Sequence, residues 1–194
     1  MDTSSSMFKN IRPVRNYFLL LMLLIVASSS LYAQSDEDPL PLNFPIPKAG
    51  NMLFYLQRDP TINTVVYTLN LDAKGNLNRS NPIHPYWIRY TENNLIKELN
   101  YIHRTFAYGV DTKEISKDKY EVRFVSYKKL VFLLQRSDKG YYVSVNVNNK
   151  TIKLSRIYVR IQGGSFWFPN VRYADLQGTD LATGKAVSER IYVK

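Results

Sequence analysis

Cysteine is absent from the 194-residue sequence, and histidine occurs only twice. The first absence excludes a disulfide scaffold, cysteine-ligated zinc, iron–sulfur clusters, a cysteine nucleophile and a lipid-modified N-terminal cysteine. The second leaves little for acid–base or metal chemistry. No His-Glu-x-x-His spacing and no Gly-x-Ser-x-Gly occurs. Gly163-Gly164 runs into aromatic residues and Pro169 instead of a helix, so no phosphate-cradling loop is present. No catalytic residue, metal site or cofactor is expected. A membrane-spanning helix needs about 20 apolar residues, and the run Tyr17–Ala27 is well short of that.

That run has a different meaning. Lys9, Arg12 and Arg15 precede it, and Ser28, Ser29 and Ser30 follow it. A basic segment, a short apolar core and small residues, in that order, are the pattern of a secretory signal peptide. Residues 1–34 are expected to be this signal, cut near Ala33 or Gln34. The remainder is expected to be exported, soluble and periplasmic or extracellular, with membrane contact only through the signal. Residues 35–50 hold four Pro and one Gly and read as an extended arm. Residues 51–194 read as a single domain. Without crosslinks it must stand on its core, which a chain of this size can supply.

The positive charge is unevenly placed. Residues 113–160 carry 12 basic and 4 acidic side chains, while residues 35–112 carry 7 and 8. This stretch is either a solvated face or a surface turned toward an anion. Nucleic acid is not expected, because the chain leaves the cytoplasm and contains no nucleic-acid-binding motif.

From Met52 onward the pattern is mainly β. Met52–Gln57, Thr64–Leu71, Tyr86–Tyr90, Tyr120–Tyr127, Leu130–Gln135, Tyr142–Val147, Thr151–Gln162, Val171–Leu176 and Ala186–Val193 read as strands. Asp138-Lys139-Gly140 and Asn148-Asn149 read as tight turns. Within Thr151–Gln162 the apolar phase changes: Ile152 and Leu154 point one way, then Ile157, Val159 and Ile161 the other. A period of two cannot do this without an extra residue, so a bulge is expected near Ser155-Arg156. Leu95, Leu99, Ile102 and Phe106 share one helical face, and a helix is expected there, begun by Asn93 or Asn94 and ended by Gly109. The expected fold is an antiparallel meander of about eight or nine strands with one helix over an open end or face. It would close as a barrel or curl as a two-layer sheet. A transmembrane barrel is disfavoured, since Arg and Asn occupy the other strand faces.

Two groups of residues carry the candidate binding chemistry. Phe166, Trp167 and Phe168 cannot all face one core from a strand. They form either an aromatic plug or a stacking platform or lid over an apolar pocket. Arg89, Arg123 and Arg160 sit on strands among apolar neighbours. Outward they are surface; inward, beside Trp87 and Tyr158, they would make a cationic pocket, with Glu121 and Asp175 as candidate partners.

The phrases Phe54–Pro60, Asn81–Tyr90, Phe106–Gly109, Phe124–Lys129 and Arg160–Val171 resemble a family of exported bacterial proteins, the domain of unknown function 4833 family. The resemblance covers nearly all of 51–193. It implies a single family domain behind a signal peptide and brings no reaction or ligand. The function expected from the residues is a non-catalytic binding domain for a small amphipathic or anionic ligand in the cell envelope. It would hold that ligand through Trp87, Arg89, Arg123, Arg160, Trp167 and Phe168. Two alternatives stand beside it. One is a hydrolase using His84 or His103 with a carboxylate; the other is a structural partner in an envelope complex. Nothing in the sequence sets the oligomeric state.

Overall fold

A computed structural model describes residues 43–165 and 167–192. The expected signal peptide, the first half of the arm and Phe166 lie outside the described residues. The rest is one sheet of eleven strands. They are β1 (Met52–Arg58), β2 (Thr61–Leu69), β3 (Ile83–Arg89), β4 (Leu95–Glu98), β5 (Val110–Ser116) and β6 (Lys119–Phe124). Then follow β7 (Tyr127–Ser137), β8 (Gly140–Val147), β9 (Lys150–Gly164), β10 (Pro169–Asp180) and β11 (Ala186–Tyr192). The sheet order is β4-β3-β2-β1-β9-β8-β7-β6-β5, with β10 on the other edge of β9 and β11 beyond it. The mainly β, curved architecture expected from the alternation is what the chain adopts.

The curl shows in ring contacts. β1 and β2 do not pair with β6, yet the rings of Phe54 and Phe124 are 6.2 Å apart, and those of Tyr67 and Phe124 are 5.6 Å apart. The sheet therefore bends into a half-barrel and packs its concave face on itself. Phe54, Tyr67, Tyr120, Phe124, Phe132, Leu134, Val143, Val145, Ile152 and Leu154 fill that interior.

β9 organises the sheet. Its first residues pair with β8, and further on, from Arg156 to Val159, it pairs parallel with Tyr55–Arg58 of β1. Parallel strands are found mostly where both faces are covered. One face here meets the core. On the other, Phe44 of the arm packs its ring edge at 5.6 Å from Tyr158. The carbonyl of Pro45 accepts a bond from Gln57 Nε2.

The expected bulge is present at Ser155. Gln177 faces Arg156 and Gly178 faces Leu154, which leaves Ser155 without an opposite residue. Its hydroxyl donates to the Gln177 carbonyl at 3.1 Å. The inserted residue restores the phase, so Ile152, Leu154 and Ile157 all reach the core. Gly178 is required opposite the bulge, because a Cβ there would lie 2.0 Å from the Lys153 carbonyl oxygen. The turn at Asn148-Asn149 has positive φ at both residues, 50° and 60°, as a two-residue hairpin demands.

The helix expected over residues 93–109 does not form. Asn93 and Asn94 both take left-handed backbone, with φ of 53° and 61°, which turns the chain back instead of starting a helix. Leu95–Glu98 then pairs with the edge of β3 as β4. Only a short helical segment, His103–Tyr108, follows. It nevertheless covers the open side of the half-barrel. Tyr67 Oη donates to the Tyr108 carbonyl, Ser126 Oγ donates to that of Ala107, and Val125 N donates to that of Gly109. Strands β4 and β5 bring the total above the expected eight or nine.

Candidate functional site: an apolar cleft with an arginine

Where the helical segment meets the C-terminal strands, a cleft of about 960 Å³ opens. Its walls follow from alternation. On β9, Ile157, Val159 and Ile161 point into it, and Ala174 and Leu176 of β10 continue that surface. Phe124, Leu130 and Phe132 come from β6 and β7, and Leu56 from β1. The size lies within the range of small-molecule sites, about 300–1,000 Å³.

The cation in this wall is Arg58. Two residues after Leu56 on β1, it takes the same face. Its Nε donates to Tyr108 Oη at 2.5 Å, and its Nη1 donates to the Asp59 carbonyl at 3.2 Å. Both acceptors are neutral, and among the described residues Arg58 forms no ion pair. Burial pushes the Tyr108 phenol up, against the pull of the Arg58 charge. His103 is shifted down, by burial first and then by the charges of Arg58 and Arg89. Tyr108 thus stands between the cleft and an aromatic group behind it. Its ring meets Trp87 at 4.9 Å, and Trp87 meets His103 at 5.8 Å.

The rim is aromatic and exposed. Gly163 and Gly164 both have positive φ, and a Cβ on Gly164 would lie 2.4 Å from the Phe168 carbonyl oxygen. The two glycines let the chain reverse tightly between β9 and β10, closed by Ser165 N donating to that carbonyl. Trp167 and Phe168 project from this turn, 57% and 83% exposed. Trp167 also meets the edge of Phe106 at 5.9 Å across the mouth.

Of the residues singled out from the sequence, Trp167 and Phe168 line this cleft. The others are not gathered there. Trp87 is core, behind Tyr108. Arg89 pairs with Glu92 at 2.7 Å, and Arg123 pairs with Glu121 at 2.7 Å, both on partly exposed surface. Arg160 is buried, but on the face of β9 opposite the cleft. There Arg160 Nη1 and Tyr158 Oη both donate to Asp59 Oδ2 at 2.7 Å. Burial, and then the bond to Asp59, push the Tyr158 pKa up to about 12. Asp175, a candidate partner for these arginines, pairs instead with Arg190. His84 does reach a carboxylate, Glu98 Oε2 at 2.9 Å, but on an exposed strand surface outside the cleft. No group of three or more His, Cys, Asp or Glu side chains suited to a metal ion occurs among the described residues. Among the same residues, no helix is long and apolar enough to cross a membrane.

Sequence reasoning misses Arg58 and Tyr108. A signal for Arg58 exists: Phe54, Leu56 and Arg58 alternate on one face, so a cation ends an apolar row. Tyr108 gives none, because it falls inside the expected helix.

The fold and this site define a class, a curled β half-barrel with an apolar cleft and an arginine in its wall. The chain belongs to the family described as Domain of unknown function (DUF4833), whose model matches residues 54–190. No curated protein and no solved structure matches it.

Proposed function

We propose that this chain is an exported, non-catalytic binding domain of the cell envelope whose cleft holds a small amphipathic anion. One observation carries the reading: an apolar cleft of about 960 Å³ contains a guanidinium that, among the described residues, bonds only to neutral oxygens. An aliphatic body removes water from the walls formed by Leu56, Leu130, Ile157 and Val159, a favourable transfer of about 25 cal/mol per Å². A carboxylate or phosphate head then meets Arg58 as a charge-assisted hydrogen bond. The His84–Glu98 pair, facing solvent elsewhere, brings no acid–base chemistry to a molecule held there.

The test is displacement of a fluorescent apolar probe by three C12 compounds that differ only in the head group. Dodecanoate should displace best, dodecanol less well and dodecyltrimethylammonium least. Equal displacement by all three, or none, overturns the reading. Mass spectrometry of molecules that co-purify would then name the natural occupant.

A second reading, a structural partner in an envelope complex, draws on one feature. Leu95, Ile96, Tyr101 and Ile102 are exposed on and after the edge strand β4.

A further inference from the structure

The rim of the cleft has features that holding a ligand does not require. Three aromatic side chains stand at the mouth with more than half of their surface in water: Phe106 at 54%, Trp167 and Phe168. Large apolar side chains grouped around an opening mark a contact surface, whereas scattered ones do not. The turn that carries Trp167 and Phe168 is tight, held by Ser165 and two glycines in left-handed backbone. These rings are therefore presented, not trailing.

Basic residues adjoin the lining along the chain. Lys128 and Lys129 lie between the lining residues Tyr127 and Leu130, and Arg172 follows the lining residue Val171. Lys129 and Arg172 are exposed. Lys128 is paired with Asp111 at 2.9 Å. The carboxylates of this region are each held by a cation: Asp59 by Arg160, Asp175 by Arg190, Glu121 by Arg123 and Asp111 by Lys128. The mouth therefore presents aromatic rings, and Lys129 and Arg172, next to its lining in sequence, are exposed and form no ion pair among the described residues.

We propose that this rim docks on an anionic lipid bilayer, with Trp167 and Phe168 entering the interface and Lys129 and Arg172 meeting lipid phosphates. Tryptophan is suited to that depth, having an apolar body and one polar N–H. Basic side chains beside it add attraction to an anionic surface. Docked this way, the mouth opens onto the acyl chains, so an amphipathic anion passes between bilayer and cleft without crossing water. The proposal extends the cleft reading to the source of its ligand and rests on it for that step.

The sequence has two tryptophans, and Trp87 is buried in the core. Quenching by lipids brominated on their acyl chains therefore reports on Trp167. The experiment uses the full chain with vesicles of phosphatidylglycerol and phosphatidylcholine, or of phosphatidylcholine alone, with Trp167→Phe as the reference. The expected result is quenching in the anionic vesicles that is absent from Trp167→Phe. The double variant Lys129→Gln/Arg172→Gln should need about thirtyfold more anionic lipid for the same quenching. No quenching of Trp167, or equal quenching in vesicles without anionic lipid, overturns the proposal. The C12 displacement series without vesicles reads the cleft separately, so a filled cleft with an unquenched Trp167 refutes docking alone. An empty cleft with a quenched Trp167 refutes the ligand reading alone.

Discussion

Arg160 and Arg58 both reach Asp59, one through its carboxylate and the other through its main-chain carbonyl. The two sides of that residue differ in chemistry. On the outer side a carboxylate, a guanidinium and the Tyr158 phenol satisfy one another under the arm. On the cleft side a guanidinium meets a phenol and a carbonyl, and no carboxylate among the described residues. A neutralised cluster holds strands together, whereas an un-neutralised cation in an apolar wall has charge left for a guest. On the proposed reading, two arginines near one aspartate divide between structure and binding.

The sharpest way to break this comparison is Asp59→Asn, which keeps the shape and removes the charge. Arg160 and Tyr158 would then lose the charged acceptor they share, at a cost of about 3 kcal/mol in unfolding free energy, read by urea denaturation. A loss below about 1 kcal/mol would show that the cluster is not what fastens β9 to the end of β1.

Next in size is Arg58→Met. Removing a hydrogen bond to a charged head group should lower dodecanoate affinity about tenfold or more and leave dodecanol nearly unchanged. The denaturation midpoint should move little, because no carboxylate is left stranded. If both ligands weaken equally, Arg58 shapes the wall and does not read the charge.

The outer cluster also has a pH signature. In the unfolded chain the Tyr158 phenol ionises near its ordinary value, about 10. In the folded chain it ionises at about 12. The stability this contributes is whole below about pH 10 and is lost as pH rises from about 10 to about 12. Tyr158→Phe should remove that part of the alkaline loss. Denaturation midpoints compared below and within this window check it, and parallel curves for the two proteins would refute it.

The smallest effects belong to Arg89 and Arg123. Their ion pairs with Glu92 and Glu121 are partly solvated, so alanine at either position should cost no more than about 1 kcal/mol and leave dodecanoate binding intact. Weakened binding in either variant would restore the three-arginine pocket that the fold disperses.

Most of the sheet is legible in the alternation of its residues. Val143, Val145 and Val147 on β8, and the phase change from Leu154 to Ile157 on β9, are statements about which side faces a core. Those follow from local sequence. The parallel pairing of β1 with β9 is not legible, since nothing in Tyr55–Arg58 names a partner about a hundred residues away. The expected helix fails because Leu95, Leu99, Ile102 and Phe106 have helical spacing by coincidence. Of these, Leu99 is buried, while Leu95, Ile102 and Phe106 remain exposed. The Asn93-Asn94 pair carries the same turn signal as Asn148-Asn149 and outweighs the periodicity. At the site, Trp167 and Phe168 are legible as aromatics with no core to enter. The arginines are not, because alternation gives a face and not the residue waiting opposite. Arg160 finds Asp59 only once β9 lies against β1.

That same junction fixes when the protein can fold. The edge of β1 has no neighbour until Arg156–Val159 exists, so the first half of the chain cannot complete its sheet as it is made. Contacts between residues so far apart close slowly, on the millisecond-to-second scale usual for sheets of this kind. A nascent chain of this design stays open for most of its synthesis, its four N-terminal strands waiting for a partner near the other end.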